Sequence, residues 1–440
     1  MRQFSFLAAL GLIACSQPAP TEPVDTGIDA ADSVYSGGPI YTADDVQETV
    51  ELVAVRDGVI VYAGAESDVP DGLVGEATET VDLGGAAMYP GFTDSHVHVL
   101  GLGARERLLN LEGTSSIEDL QARVAEAAAD LPDGAVLQGR GWIETRWPED
   151  RFPSRQDLDA VAPDIAVFLV RADGHALVAN SRALEMAGIT ADSVAPEGGD
   201  ILREEDGEPT GMLIDTAMAP VIALGGSFTG EDRANVYLEG AWSAARYGWT
   251  GGHDMSVPWA DVAMIEGLAE ELPLRVYISA NPDGLAPLAR DGHVVSDNRR
   301  VIARAVKLYM DGALGSRGAA LLEPYSDDPA NAGLMLSQED ETLSAMVTAL
   351  QNGVQMNIHA IGDRGNQLLL DWIEDALAAV PAEDRALPQH RWRDEHTQIV
   401  DPADIPRFAE LGVIPSMQPS HAIGDLFFAP DRLGPGRLDG

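Results

Sequence analysis

Apolar and polar positions divide the chain into a short β-rich start and a longer stretch in which β segments take turns with helical ones. Residues 34–42, 50–56 and 59–63 are rich in β-branched and aromatic side chains. Asp57-Gly58, between the last two, is a two-residue hairpin signal. These segments predict a small β unit, part of a β-sandwich, over 32–86. Further strand-like segments fall at 87–92, 250–255, 274–280, 305–310, 354–359, 391–395 and 413–417, separated by helical stretches, which is the order of a parallel sheet. A domain's length of chain, about 102–245, interrupts the first two of them. Within it, Ser115-Ser116-Ile117-Glu118 reads as a capping box. It opens a helix through residue 131 with Ile117, Leu120, Val124 and Leu131 on one face. Strand-like 135–138 and 166–170 follow, so this segment is expected to be an α/β insertion over a barrel mouth.

Charge removes several function classes. With 71 acidic and 28 basic residues the formal net charge is −43. Such a chain has no basic surface for phosphate, which excludes non-specific nucleic-acid binding, nor one for docking on anionic lipid. No apolar run reaches the ~18 residues of a membrane span. The first residues are an address instead. Met1-Arg2 carries one positive charge, residues 4–14 are apolar but for Ser5 and Gly11, and Leu12-Ile13-Ala14-Cys15 resembles a bacterial lipobox. Cys15 is the only cysteine, so it is the expected lipidation site after removal of 1–15 as a signal peptide. Ser16 after it favours the outer membrane of the exported lipoprotein, facing the periplasm. Residues 16–31, Pro-rich and without a basic residue, suit a flexible stalk. Contact with the membrane is thus expected through the lipid anchor alone.

One further count matters: 27 of the 28 basic residues are arginine, and the single lysine is Lys307. A lysine that survives such replacement marks a place where a permanently charged guanidinium is unsuitable. Chemistry-bearing residues recur at predicted strand ends. His96 and His98, in Pro90-Gly91-Phe92-Thr93-Asp94-Ser95-His96-Val97-His98, are two apart and point to one side of a strand, so both imidazoles can reach one cation. Lys307, His359 and His396 lie in or just after later strands. Any one of them alone is more often a structural residue; their convergence on strand ends is the signal. His253, His293, His390 and His421 carry no motif of comparable strength.

Taken with these motifs, the chain resembles the amidohydrolase superfamily, in the family 3 branch that includes N-substituted formamide deformylases. The resemblance runs from residue 33 to the end. It rests on the histidine block above, Gly139-Arg140-Gly141-Trp142, Asp173-Gly174-His175 and Asp206-Gly207-Glu208-Pro209-Thr210-Gly211. It rests also on Lys307 with Asp311-Gly312-Ala313-Leu314-Gly315-Ser316-Arg317, Ile358-His359-Ala360-Ile361-Gly362-Asp363, Glu395-His396 and Gln418-Pro419. It implies a (β/α)8 TIM-type barrel, with about seven of eight strands present over 87–440. It also implies two divalent ions, zinc in the first instance. His96 and His98 would bind one, His359 and His396 the other, and carboxylated Lys307 would bridge them. The implied reaction is hydrolysis of a small amide or formamide by metal-activated hydroxide. Trp142, His175, Asp311 and Arg317 are candidate substrate-binding groups. A lactone or cyclic-imide hydrolase, or a catalytically dead lipid-anchored remnant that binds metal or a partner, are the alternatives; a homo-oligomer is compatible with each. The family's proton-shuttling Asp ends the eighth strand and has no counterpart before Gly440. The expectation is therefore a truncated chain that binds metal but hydrolyses poorly.

Overall fold

A computed structural model describes residues 29–438, except Asp133, Arg146, Asp173, His175, Glu197, Gly198 and Ser227. The signal peptide, Cys15 and residues 16–28 of the expected stalk lie outside the described residues. The described residues divide into two compact units, which part between Gly91 and Phe92.

The first unit holds β1 (Ser33–Ser36), β2 (Ile40–Tyr41), β3 (Thr49–Val50), β4 (Leu52–Arg56), β5 (Val59–Gly64) and β6 (Glu79–Asp82). Four of them form a sheet in the order β5-β4-β1-β6, and β2 pairs with β3. The β4–β5 turn is Asp57-Gly58, both at positive φ, as the tight primed hairpin turns require. The stretch expected as one strand over 34–42 is two, because Gly37 turns at φ +81° and Gly38 lies so close to Ala86 O that a Cβ there would sit at 2.2 Å. Val34, Leu52, Ala54 and Leu73 fill one core beneath the sheet.

The second unit is a TIM-barrel-like α/β fold. Seven parallel strands are its frame: β7 (Phe92–Val97), β14 (Trp249–Val257), β15 (Arg275–Ala280), β17 (Val301–Tyr309), β18 (Gln355–Ala360), β19 (Arg393–His396) and β20 (Ile414–Ser416). They pair in chain order and nearly close a barrel, with β7 and β20 as the two edges; β16 (Val294–Val295) adds antiparallel to β17. The first strand starts at Phe92, where 87–92 was expected. Pro90 has no N–H to give a ladder, and pairing with β14 begins only at Phe92 opposite Trp249. Helices pack outside. Helix Glu339–Asn352 begins with three acidic residues and stops at Gly353 in the left-handed region, both favourable to its dipole and its cap. It and helix Asp363–Ala379 bury Met346, Leu369 and Ile373 against Val306, Met356 and Ile358.

Strand register sets what lines the barrel. Lys307, Asn357 and Arg393 are neighbours on one level, and Tyr309, His359, Glu395 and Ser416 on the next. Since alternate residues share a face, a polar layer lies directly below the histidine layer.

Between β7 and β14 lies a separate sheet of β8 (Leu109–Asn110), β9 (Val136–Trp142), β10 (Ala166–Arg171), β11 (Ala176–Ala179), β12 (Gly199–Arg203) and β13 (Pro209–Asp215), in the order β12-β13-β11-β10-β9-β8. Its helix runs Ile117–Ala128, three residues shorter than expected. The cap is Ser116, whose hydroxyl accepts from Asp119 N–H at 3.0 Å, while Asp119 accepts from Ser115 N–H. Asn180 locks the sheet to the loop before it. Its carbonyl accepts from Val167 and Ala183, and its amide donates to Ala162 and Ile165.

Candidate metal centre

His96 is the last residue but one of β7 and His98 follows the strand, just before helix Val99–Glu106. Their rings lie 5.5 Å apart. His96 Nδ1 is 2.7 Å from Glu395 Oε2, and His98 Nδ1 is 2.9 Å from Met255 O. A carbonyl and a carboxylate only accept, so each Nδ1 donates and each Nε2 keeps its lone pair for a cation. Burial lowers the pKa of both rings, which favours this neutral, ligating form.

His359 and His396 stand opposite. Their rings are 4.5 Å apart, and His396 is 4.8 Å from His96. His396 Nδ1 lies 2.8 Å from Gln418 Oε1, which is how the Gln418-Pro419 motif enters the site. Burial pushes His359 down to about 3 and His396 down to about 2. His396 and Thr397 both take positive φ, a costly conformation for residues with a Cβ, held here at the strand end. Lys307 is 1% exposed, and its Nζ has no hydrogen-bond partner. Burial brings its amine down to about 8. Among the described residues no three His, Cys, Asp or Glu side chains already close on one point. What the site offers a cation is two pairs of neutral imidazoles and an unsatisfied amine.

Beneath them is a network the sequence analysis did not single out. Arg393 and Glu395 form a buried pair, Nε to Oε1 at 2.6 Å. Burial alone would raise the Glu395 carboxyl, but hydrogen bonds from His96 and Arg393 outweigh it and bring it to about 2. His253 Nδ1 is 2.6 Å from Arg393 Nη1, and burial lowers that ring to about 4. The available signal was the i, i+2 spacing of Arg393 and Glu395 on a predicted strand just before His396. His421, also left aside, has its ring 5.6 Å from His396 and Nδ1 3.3 Å from Asp425 Oδ2.

The candidate substrate groups fare differently. Trp142 is wholly buried in the core of the insertion, its indole N–H donating to Leu169 O at 2.8 Å beside Trp147, so the expectation that it contacts substrate is corrected. Asp311 is also wholly buried; both its oxygens accept backbone N–H groups, from Ala320, Ile361 and Gly362. That makes it a brace, not a substrate group. Arg317 spends its fork on Asp327, at 3.1 and 2.9 Å. His175 lies outside the described residues.

Asp254 holds the helix that follows His98. It accepts from Val99 N–H at 3.0 Å and from Tyr237 Oη at 2.7 Å. Burial, helped by the charge of Asp261, pushes its carboxyl up to about 7 from 3.8. The fold therefore keeps a proton that the unfolded chain releases at lower pH. This contribution to stability is full below the unfolded value and is lost as pH rises through about 7. Asp254→Asn is expected to lose less stability than wild type between about pH 5 and pH 8, measured by urea unfolding. Identical slopes would contradict it.

Comparison with known proteins agrees with this architecture. Residues 79–440 match the amidohydrolase family. The chain is 31% identical over 423 residues to YtcJ of Bacillus subtilis (strain 168), a protein named for a provisional amidohydrolase assignment, covering 92% of this chain and 76% of that one. It is 26% identical to N-substituted formamide deformylase of Arthrobacter pascens, covering 88% and 72%. The crystal structure of an uncharacterized metal-dependent hydrolase from Pyrococcus horikoshii OT3 superimposes with a TM-score of 0.72 at 26% identity, over 92% of this chain and 78% of that one. The chain belongs to the amidohydrolase family and is a metal-dependent hydrolase of C–N bonds other than peptide bonds.

Proposed function

We propose that the chain cleaves a small amide or formamide-like substrate at a centre of two divalent ions, zinc in the first instance. His96 and His98 would hold one ion, His359 and His396 the other, and carboxylated Lys307 would join them. The observation that carries this reading is Lys307 itself: a buried amine without a hydrogen-bond partner, 5.2 Å from the Tyr309 ring centroid, among imidazoles that burial keeps neutral. An unpaired buried ammonium is costly, whereas a free amine can attack CO2, forming an N–C bond and releasing a proton. The anionic carbamate would then supply two oxygens to the ions, at a site where among the described residues no three His, Cys, Asp or Glu side chains already close on one point. Divalent ions in such a site supply Lewis acidity and lower the pKa of water from ~15.7 towards ~7.

The chain's own residues prepare that chemistry. Glu395 and the Met255 carbonyl fix the tautomers of His96 and His98, and Gln418 orients His396. Tyr309, at the level of His359, has its ring centroid 5.2 Å from Lys307 Nζ and would stand beside the reacting group. The test is a panel of N-formyl amines, N-acyl amines, lactones and cyclic imides offered to the zinc-loaded protein. Formamides and amides are expected to turn over fastest, and a preference for lactones would overturn the substrate reading. The chain is further proposed to act as an exported lipoprotein, tethered through Cys15. Cys15→Ser is expected to move it from the membrane fraction to the soluble one; unchanged partitioning would contradict the anchor.

A further inference from the structure

The edge strands β7 and β20 are not paired with one another among the described residues. One side chain spans the space between them. Arg393, on β19, is 6% exposed. Its Nη2 donates to Ser95 O in β7 and to Ser416 Oγ in β20, each at 2.6 Å. Its Nη1 donates to His253 Nδ1 in β14 at 2.6 Å. The remaining contacts go to Glu395: Nε donates to Oε1 at 2.6 Å, and Nη2, whose two N–H groups are shared among three acceptors, lies 3.1 Å from Oε2. Glu395 in turn receives His96 Nδ1 at 2.7 Å.

We propose that Arg393 is a positioning residue for the metal centre. Its fork holds the Glu395 carboxylate so that Oε2 meets His96 Nδ1, which fixes the tautomer and direction of the His96 ring. Its Nη2 simultaneously holds the strand that carries His96 against β20. The proposal rests on the reading of His96 as a metal ligand. A brace between strands would need only the bonds to Ser95 and Ser416. The bidentate grip on a carboxylate whose other contact is a candidate ligand adds nothing to such a brace, and buried ion pairs contribute little net stability. It is, however, what orienting a ligand through its outer partner requires. Lysine cannot replace it, because a point-like ammonium cannot present a planar fork and reach two strands as well.

The test is zinc affinity of the full-length folded protein, by competition with a chromophoric chelator, alongside thermal unfolding. The variants are Arg393→Lys, Glu395→Gln, Ser416→Ala and His96→Ala. Arg393→Lys and Glu395→Gln are each expected to weaken zinc binding by about 10–100-fold. Combining them should cost no more than the worse single change, since both act through one path. Ser416→Ala, which removes only the tie to β20, should lower the melting temperature and leave affinity within about threefold. Wild-type affinity in folded Arg393→Lys would overturn the positioning role. If that variant does not fold, wild-type affinity in the near-isosteric Glu395→Gln overturns it equally. Wild-type zinc affinity in His96→Ala would overturn the metal reading itself, and the proposal with it. Loss in His96→Ala with no loss in the other two would overturn the proposal alone.

Discussion

Lys307→Arg is expected to cost the protein most of its bound metal, although it keeps the formal charge. Lys307 is the only lysine of the chain, is 1% exposed and has no hydrogen-bond partner for Nζ. Burial lowers its amine to about 8, so a usable fraction is free base near neutral pH. A guanidinium stays protonated and cannot form a carbamate. It would also place a second fixed charge near Arg393, whose own hydrogen bonds are already spent on Glu395, His253, Ser95 and Ser416. Removing an outer partner of a ligand typically costs 10–100-fold in affinity, so losing the bridge should cost roughly a hundredfold or more. Elemental analysis of purified protein checks this. Lys307→Ala should also lose metal, and short carboxylic acids should restore part of it by supplying the missing oxygens. Full occupancy in Lys307→Arg would remove the bridging role.

Asp311→Ala is expected to be the most destabilising single change near the site, by about 3–5 kcal/mol. The carboxylate is wholly buried and accepts Ala320 N–H and Gly362 N–H at Oδ2, both at 2.8 Å, and Ile361 N–H at Oδ1, at 3.0 Å. Each donor left without an acceptor costs about 1–3 kcal/mol, and partial relaxation lowers the sum. Asp311→Asn should rescue little. Either orientation of the amide points an NH2 group at one or two of these donors. Gly365→Ala offers an independent check, since its Cβ would lie 2.7 Å from Asp311 Oδ2 and push the carboxylate aside. Urea unfolding reads all three. Because Asp311 braces the chain just after His359, zinc occupancy should fall with stability. Wild-type stability in Asp311→Ala would show that these donors find other partners.

Much of the scaffold was legible because it is recorded in local patterns. Strand-sized apolar runs separated by helical stretches predict a parallel sheet, and the six later strands fall where those runs lie. Asp57-Gly58 marks its hairpin, since few other dipeptides accept two successive positive φ values. The candidate ligands announced themselves by residue type and place. His96 and His98 share a spacing, and Lys307 is unique in composition; both are one-dimensional facts. The structure brings their side chains to one end of the barrel.

Other features are absent from any local window. Trp142 sits in one of the segments on which the resemblance rests, but whether an indole faces a pocket or a core depends on which strand covers it. Here β10 and Trp147 do. Asp311 likewise reads as a substrate-binding group until its carboxylate is seen receiving three backbone N–H groups from two segments. The first strand was misplaced because hydrophobicity at 87–92 says nothing about ladder pairing, which Pro90 forbids. The Arg393 network is furthest from sequence reach: its bond to Ser95 joins positions 298 residues apart. Periodicity reports which face of an element is buried. Which side chains meet inside the barrel is decided by strand order and register, and these fix partners only once the sheet has curled.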